Sequence, residues 1–339
     1  MVMQAAIKAL VEQGSITGGQ AADAIEAIMT GMATPAQIGA FLTALRIRGE
    51  TPEVIAACLE VTQRHAEPVP ADDVIDLVGT GGDGMDTFNV STAAAIVVAG
   101  AGLRVAKHGN RAASSKCGSA DVLEALGARL DLTGEQAAAV IDACGFCFLF
   151  AQRFHPAFRH VGGPRREVGT RTIFNILGPL TNPARPRAML AGVGVRSLGP
   201  LVAEAFRQRG MARAMVIHSA EGLDEISPSG ATHAWELENG RIIERSLSPA
   251  DFGLPTHPIS SVVGGDAEQN SGQMLALLDG ADGPITDFVL MNAAAGLFVA
   301  GAVPDLPSGV RTARVSIASG RAREVLDRYV ALSQEFAGD

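Results

Sequence analysis

Apolar residues recur every three or four positions through the first 66 residues. Met3, Ile7, Leu10 and Val11 fall on one helical face, and Ile25, Ile28 and Met29 on another. Gly14 marks the end of the first helix. Thr34-Pro35 and Thr51-Pro52 both read as helix starts, in which the hydroxyl accepts an orphan backbone N–H and proline takes the position that needs no donor. The region up to about residue 66 is therefore predicted to be helical throughout. The segment EPVPADD (67–73) then changes the composition, and from VIDLVG (74–79) short Val/Ile/Leu runs alternate with amphipathic stretches to the C-terminus. VIDLVG, the helix-like STAAAIVVAGAG and the strand-like LRVAKHG outline a βαβ unit. FCFLFA, RAMLAGVGV and ARAMVIHS are further strand candidates, with the helix LVAEAFRQR between the last two. The pattern predicts an α/β fold with a mainly parallel sheet. THAWELENGRIIERSL differs, because Asn239-Gly240 between two alternating runs signals an antiparallel hairpin.

A chain of 339 residues, 47% hydrophobic and 19% charged, can bury a large core, and its length suits one large domain with a smaller one. The net charge of -9 offers no basic footprint for nucleic acid or an anionic membrane. The N-terminal stretch carries Lys8 and Glu12 inside its apolar pattern, and the run AAAIVVAGAG is too short to span a bilayer. These features predict a cytoplasmic protein that binds neither nucleic acid nor membrane. Cys144 and Cys147 form a C-x-x-C, but they close a helix instead of preceding one, so buried, inert thiols are expected.

The loop GTGGDGMDTFNVST (79–92) carries the first candidate chemistry. Gly79, Gly81 and Gly84 satisfy G-x-G-x-x-G after a strand, yet no acid lies between Asp86 and Asp121 to hold a dinucleotide ribose, and no Walker lysine follows. What remains is a loop of free backbone N–H groups leading into a helix N-terminus at residues 89–92, suited to a phosphate or pyrophosphate. The plain alternative is a glycine-rich turn. KHGNRAASS (107–115) leaves the neighbouring strand at the same carboxyl edge with two cations, an amide and paired hydroxyls, and GSAD (118–121) adds Ser119 at another helix start. GLDEIS (222–227) places Asp224 and Glu225 directly after an apolar strand; they are surface charges or, beside a polyphosphate, Mg²⁺ ligands, with Ser91 as a further oxygen. HPAFRHVGGPRREVGTR (155–171) gathers Arg159, Arg165, Arg166 and Arg171 in an acidic chain, either as a solvated helix face or as a site for an anionic co-substrate.

In this order and spacing, GTGGDGMDTFNVST, KHGNRAASS, GSADVLEALG, GLDEIS and RTIFNILGPLTNPA resemble the anthranilate phosphoribosyltransferases of tryptophan biosynthesis, over essentially the whole chain. The chain departs from that pattern at Phe154 and at Gly162-Gly163-Pro164. The resemblance implies a homodimer of the nucleoside phosphorylase and phosphoribosyltransferase type. A helical domain (1–66, with a returning contribution from about 165–185) would join a catalytic α/β domain (71–339) across a cleft. It implies that phosphoribosyl pyrophosphate (PRPP) is bound by Gly79, Gly82, Asp83, Thr87, Asn89, Val90, Ser91 and Thr92 of the first loop. From the second it adds Lys107, His108, Gly109, Asn110, Arg111, Ala112, Ala113, Ser114 and Ser115, and after them Ser119. Ser91, Asp224 and Glu225 would hold two Mg²⁺ per active site, and Gly79, Asn110 and Arg165 would contact anthranilate. Lys107 is the expected stabiliser of leaving-group charge, and His108 the one candidate proton acceptor. A pyrimidine-nucleoside phosphorylase would carry a different lysine motif in place of KHGNRAASS. A nucleic-acid-binding relative would show a degraded glycine loop and a basic surface.

Overall fold

The computed structural model describes residues 1–82, 84–112 and 115–336. The chain opens with the helices Val2–Lys8, Gly18–Met29, Pro35–Arg48 and Pro52–Arg64. Thr17, Thr34 and Thr51 each accept the N–H three residues on, and Thr17 and Thr34 complete capping boxes with Gln20 and Gln37. The first helix continues as a π-wound turn, Ala9–Gln13, and stops at Gly14 with φ 79°. Leu10 is buried there, but Val11 is 57% exposed, against the single face expected for the two. Neighbouring helical residues diverge by about 100°, so the inward face defined by Met3, Ala6 and Leu10 leaves Val11 outside.

Seven strands form one sheet in the order β3-β2-β1-β4-β5-β6-β7. They are β1 (Val74–Gly79), β2 (Arg104–Gly109), β3 (Phe146–Phe150), β4 (Ala188–Gly192), β5 (Arg213–Ser219), β6 (Thr232–Glu238) and β7 (Arg241–Leu247). All pairs from β3 to β5 are parallel, and β6 and β7 pair antiparallel across Asn239-Gly240, whose φ values of 50° and 77° make the tight turn expected there. The expected strand–helix alternation to the C-terminus ends at Leu247. The remainder is built of 3₁₀ turns and the helices Ala267–Leu278, Pro284–Val299, Leu306–Ala318 and Arg321–Glu335. Nearly every residue of Pro284–Val299 is buried, and a run apolar on all sides has no period that separates a core helix from buried strands.

The helix Val90–Gly100 packs between the sheet and the helices Pro284–Val299 and Arg321–Glu335, with Ile75, Leu77 and Val105 in the same core. On the opposite face Val78, Met189, Ala191 and Val216 share a second core with the helix Leu198–Gln208 and the N-terminal helices. Val161, Phe174, Leu177 and Leu180 of the helices Arg159–Val168 and Phe174–Leu180 complete that second core. Cys144 and Cys147 are buried and unbridged, and burial pushes both thiols up, as expected for inert groups. Among the described residues no helix is long and apolar enough to cross a membrane.

Candidate active site

In the parallel register Gly79 of β1 lies beside Gly192 of β4, which in turn faces Ile217 of β5, so the loops after these strands leave one edge of the sheet. Both glycines make room for Asp224. A Cβ on Gly79 would sit 2.9 Å from the Asp224 carboxyl carbon, and one on Gly192 only 2.5 Å from its carbonyl carbon. The loop carrying Asp224 is pinned on both sides, because Leu223 N–H donates to Ser219 Oγ (2.8 Å) and Ile226 N–H to Asn292 Oδ1 (3.1 Å). Buried at 6% exposure, Asp224 accepts the Gly81 N–H on Oδ2 at 2.5 Å. Asp224 therefore reaches the glycine loop.

That loop takes its shape from positive φ at Gly81, Gly82 and Gly84 and from three ties. Gly194 N–H donates to Thr80 Oγ1 (3.0 Å), Arg171 donates to the Gly81 carbonyl (3.2 Å), and Thr87 pairs with Val263 in an isolated antiparallel bridge. Asn89 ends the loop, donating to the Cys117 carbonyl (3.1 Å) and accepting from Asn270 (2.8 Å). Val90 is buried at the start of the helix, Ser91 follows it, and Thr92 donates to Ser119 Oγ at 2.9 Å, which joins the two helix N-termini. Asp83, Ala113 and Ser114 lie outside the described residues.

Lys107 and His108 are successive residues of β2, so they face opposite sides of the sheet. Both are 1% exposed. Lys107 Nζ donates to the Leu77 carbonyl (2.7 Å) and to Ser91 Oγ (3.3 Å) at the start of the helix Val90–Gly100. Burial lowers its pKa, opposed by Asp76, Glu225 and Asp224. Lys107 thus bonds the hydroxyl singled out in the sequence, and the two carboxylates singled out there act on its charge. His108 points the other way: its Nδ1 is 3.4 Å from the Pro179 carbonyl, and its ring meets His155 edge to face at 5.1 Å. His155 stacks on Phe158 at 4.9 Å. Burial pushes His108 well below the usual histidine range and His155 down to about 4, so both rings are neutral near pH 7.

The loop after β2 is organised by Asp121, which accepts Ala112 N–H (3.0 Å) and Gly118 N–H (2.8 Å) on one oxygen and pairs with Arg111 (3.1 Å) on the other. Gly109 is closed in by Phe148, whose ring a Cβ would approach to 2.7 Å, and Ser115 is exposed. Arg111 also pairs with Glu124 and lies over the Phe150 ring at 5.4 Å, so its charge is already compensated. Asn110 Oδ1 accepts the Arg111 N–H at 2.8 Å.

The arginines of 155–171 behave differently. Among the described residues none of Arg159, Arg165, Arg166 and Arg171 forms an ion pair. Arg165 donates to Asn175 Oδ1 (3.2 Å) and lies 6.0 Å above the Phe174 ring, on the side of the sheet that His108 faces, and burial lowers its pKa. It makes no hydrogen bond to Gly79 or Asn110 among the described residues. The edge of the sheet thus carries two half-sites. One holds the glycine loop, Ser91, Lys107 and the acidic pair; the other holds His108, His155, Phe158 and the unpaired Arg165.

Several contributors escaped the sequence reading. Asp76 is 1% exposed, and burial pushes it up to about 6 against the pull of Lys107, Asn182 and the His108 amide. A lone acid inside an apolar strand was its only signal. Asn175 and Asn182 stand inside RTIFNILGPLTNPA but carried no signal of their individual roles, and the stretch 262–265 carried none at all, since its pairing with the glycine loop is distant in sequence.

The family described as glycosyl transferase family, helical bundle domain, matches residues 4–66, and the glycosyl transferase family, a/b domain, matches residues 71–323. A Streptomyces coelicolor protein named anthranilate phosphoribosyltransferase 2 is 48% identical over 96% of this chain and 98% of its own length. The anthranilate phosphoribosyltransferase of Thermomicrobium roseum is 51% identical over 94% and 93%. The crystal structure of the Thermus thermophilus anthranilate phosphoribosyltransferase superposes with a TM-score of 0.92 at 42% identity, covering 97% of this chain and 99% of that one. The Saccharomyces cerevisiae enzyme in complex with PRPP and Mg superposes at 0.89 with 30% identity, covering 98% of both chains. The chain belongs to this glycosyl transferase family and, within it, to the anthranilate phosphoribosyltransferases.

Proposed function

We infer that this protein transfers the 5-phosphoribosyl group of PRPP to the amine of anthranilate, releasing pyrophosphate and N-(5-phosphoribosyl)anthranilate for tryptophan biosynthesis. The observation that carries the reading is the bond from Lys107 to Ser91 together with the bond from the Gly81 N–H to Asp224, both at the edge where the glycine loop emerges. Breaking the bond at the anomeric carbon puts positive charge on the sugar and negative charge on pyrophosphate, so the site chiefly has to meet separated charge. Two of the three donor protons of a Lys107 ammonium are engaged by Leu77 and Ser91, which leaves one for a phosphate oxygen. The donors of the glycine loop, with Gly79, Gly82, Thr87 and Asn89 to Thr92, and those of the second loop, from Lys107 to Ala112 with Ser115 and Ser119, surround the same donor substrate.

Ser91, Asp224 and Glu225 are hard oxygen donors, which suit magnesium: it takes one or two carboxylates and fills its remaining positions with substrate oxygens and water. Mg²⁺ bound there, two ions per site, would supply positive charge to the pyrophosphate. On the other face, Arg165 offers an unpaired guanidinium fork to the anthranilate carboxylate, and Gly79 and Asn110 would be further contacts of the same substrate. A proton on His108 Nδ1 shared with the Pro179 carbonyl leaves Nε2, which has no partner, as an acceptor. The depressed pKa makes it a weak base, suited to orienting the amine more than to removing its proton.

In this reading the helical unit (1–66, with the segment from about 165 to 185) closes on the α/β unit (71–339), the protein acts as a homodimer, and it works in the cytoplasm. Expression in a bacterial strain that lacks this transferase and needs tryptophan tests the function. Growth without tryptophan is expected, and no growth despite folded, expressed protein contradicts it.

A further inference from the structure

A line of direct hydrogen bonds crosses the molecule beneath both half-sites. Gln63, in the last turn of Pro52–Arg64, donates from Nε2 to the Asn182 carbonyl at 2.9 Å. Asn182 Nδ2 donates to Asp76 Oδ2 (2.8 Å) and to the Ala106 carbonyl (2.7 Å), and its Oδ1 accepts the Ala184 N–H (2.9 Å). Asp76 Oδ1 accepts the His108 N–H at 3.2 Å. Gln63, Asn182, Asp76 and His108 are each at most 5% exposed, so water does not compete for these bonds. Asn182 lies two residues beyond the helix Phe174–Leu180, which carries Asn175, the partner of Arg165, and Pro179, the partner of His108. Asn182, just beyond the helix of the acceptor half, therefore holds the two central strands of the donor half through its side-chain amide and the last of the N-terminal helices through its backbone carbonyl.

We propose that Asn182 is a positioning residue that registers the acceptor half of the site against the donor half, with Asp76 and Gln63 as its two anchors. Reaction between an aromatic amine and an anomeric carbon needs the two substrates aligned to within a fraction of an ångström, and a remote shift of about 1 Å can cost roughly a hundredfold in rate. An amide with both N–H groups and its Oδ1 engaged, and its own carbonyl held by Gln63, has no alternative rotamer that keeps these bonds. Its loss would free the helix Phe174–Leu180 to shift relative to β1 and β2 without removing any group that touches substrate. The proposal rests on the transferase reading.

The test compares the wild type, Asn182→Ala, Gln63→Leu and the double variant by initial rates with each substrate varied and by thermal melting. Asn182→Ala is expected to lower kcat by roughly ten- to a hundredfold and to raise KM for anthranilate, with KM for PRPP within about twofold. Gln63→Leu should show the same split more weakly. The Gln63 bond is to the backbone carbonyl of residue 182 and survives Asn182→Ala, so the double variant removes both anchors and should lose more than either single variant. A lower melting temperature with kcat per folded enzyme unchanged would reduce Asn182 to a structural role and overturn the proposal, as would a double variant no worse than Asn182→Ala. If Asn182→Ala does not fold, Gln63→Leu decides: normal kcat and KM for anthranilate overturn it. An inactive wild type would instead sink the transferase reading.

Discussion

Replacing Lys107 by methionine separates a cation kept for catalysis from one kept for folding. Methionine matches the length of the lysine stem and removes only the ammonium. For stability two effects add. Removing the ammonium leaves the buried Asp76 without its cation, and losing one partner of a buried charge pair costs about 3–5 kcal/mol. Loss of the 2.7 Å bond leaves the Leu77 carbonyl short of a donor in a buried place, at a cost of about 1–3 kcal/mol. The melting temperature should therefore fall, while the variant assayed well below it remains folded. Nothing offsets the loss in the reaction, because a preorganised donor to developing negative charge is typically worth about 2.7–4 kcal/mol, or roughly 10²–10³ in kcat. Steady-state rates and calorimetry on the same preparation make the comparison. Near-normal kcat in a folded variant, or a fall in activity that only tracks unfolding, would refute the reasoning.

Three further outcomes follow from the same geometry. Changing Asp224→Asn and Glu225→Gln together should lower activity by orders of magnitude while the fold survives, since an amide oxygen at 224 can still accept the Gly81 N–H; full activity at low Mg²⁺ would exclude the pair as ligands. Arg165→Ala should cost about 1.5–3 kcal/mol, roughly ten- to a hundredfold in kcat/KM, carried by anthranilate and only partly recovered in Arg165→Lys; equal damage to both substrates' parameters would point to a structural role. His155, held neutral with a pKa of about 4, lends stability that is present above its unfolded pKa near 6.5 and lost as pH falls, worth about 3 kcal/mol at pH 4. Urea midpoints for His155→Phe should therefore fall less than those of the wild type between pH 6.5 and 4, and parallel curves would argue against a buried neutral ring.

The elements most legible in the sequence were those governed by local chemistry. Threonine caps with proline behind them, the Asn239-Gly240 turn and the Val-rich parallel strands depend on residues within a few positions of one another. Asp224 and Glu225 stood out because they follow a strand candidate, and the loop after β5 does bring Asp224 to the glycine loop. The opposite orientations of Lys107 and His108 follow from the two-residue period of a strand, yet their consequence emerges only once Ser91 and Pro179 are known to lie on different sides. Asp76, Asn182 and Gln63 were opaque for a different reason: partners more than 100 residues apart leave no periodic trace. A helix was one of two readings of 155–171, and the helix Arg159–Val168 does run through Pro164, but the setting of Arg165 against Asn175 and Phe174 was not legible there.

The central claim is the transfer itself, and anthranilate reports it directly through its own fluorescence. Purified protein with Mg²⁺, PRPP and anthranilate should show a steady loss of that fluorescence, with one pyrophosphate released for each anthranilate consumed. Unchanged fluorescence, together with phosphate-dependent release of base from a pyrimidine nucleoside, would contradict the account and assign the site to phosphorolysis.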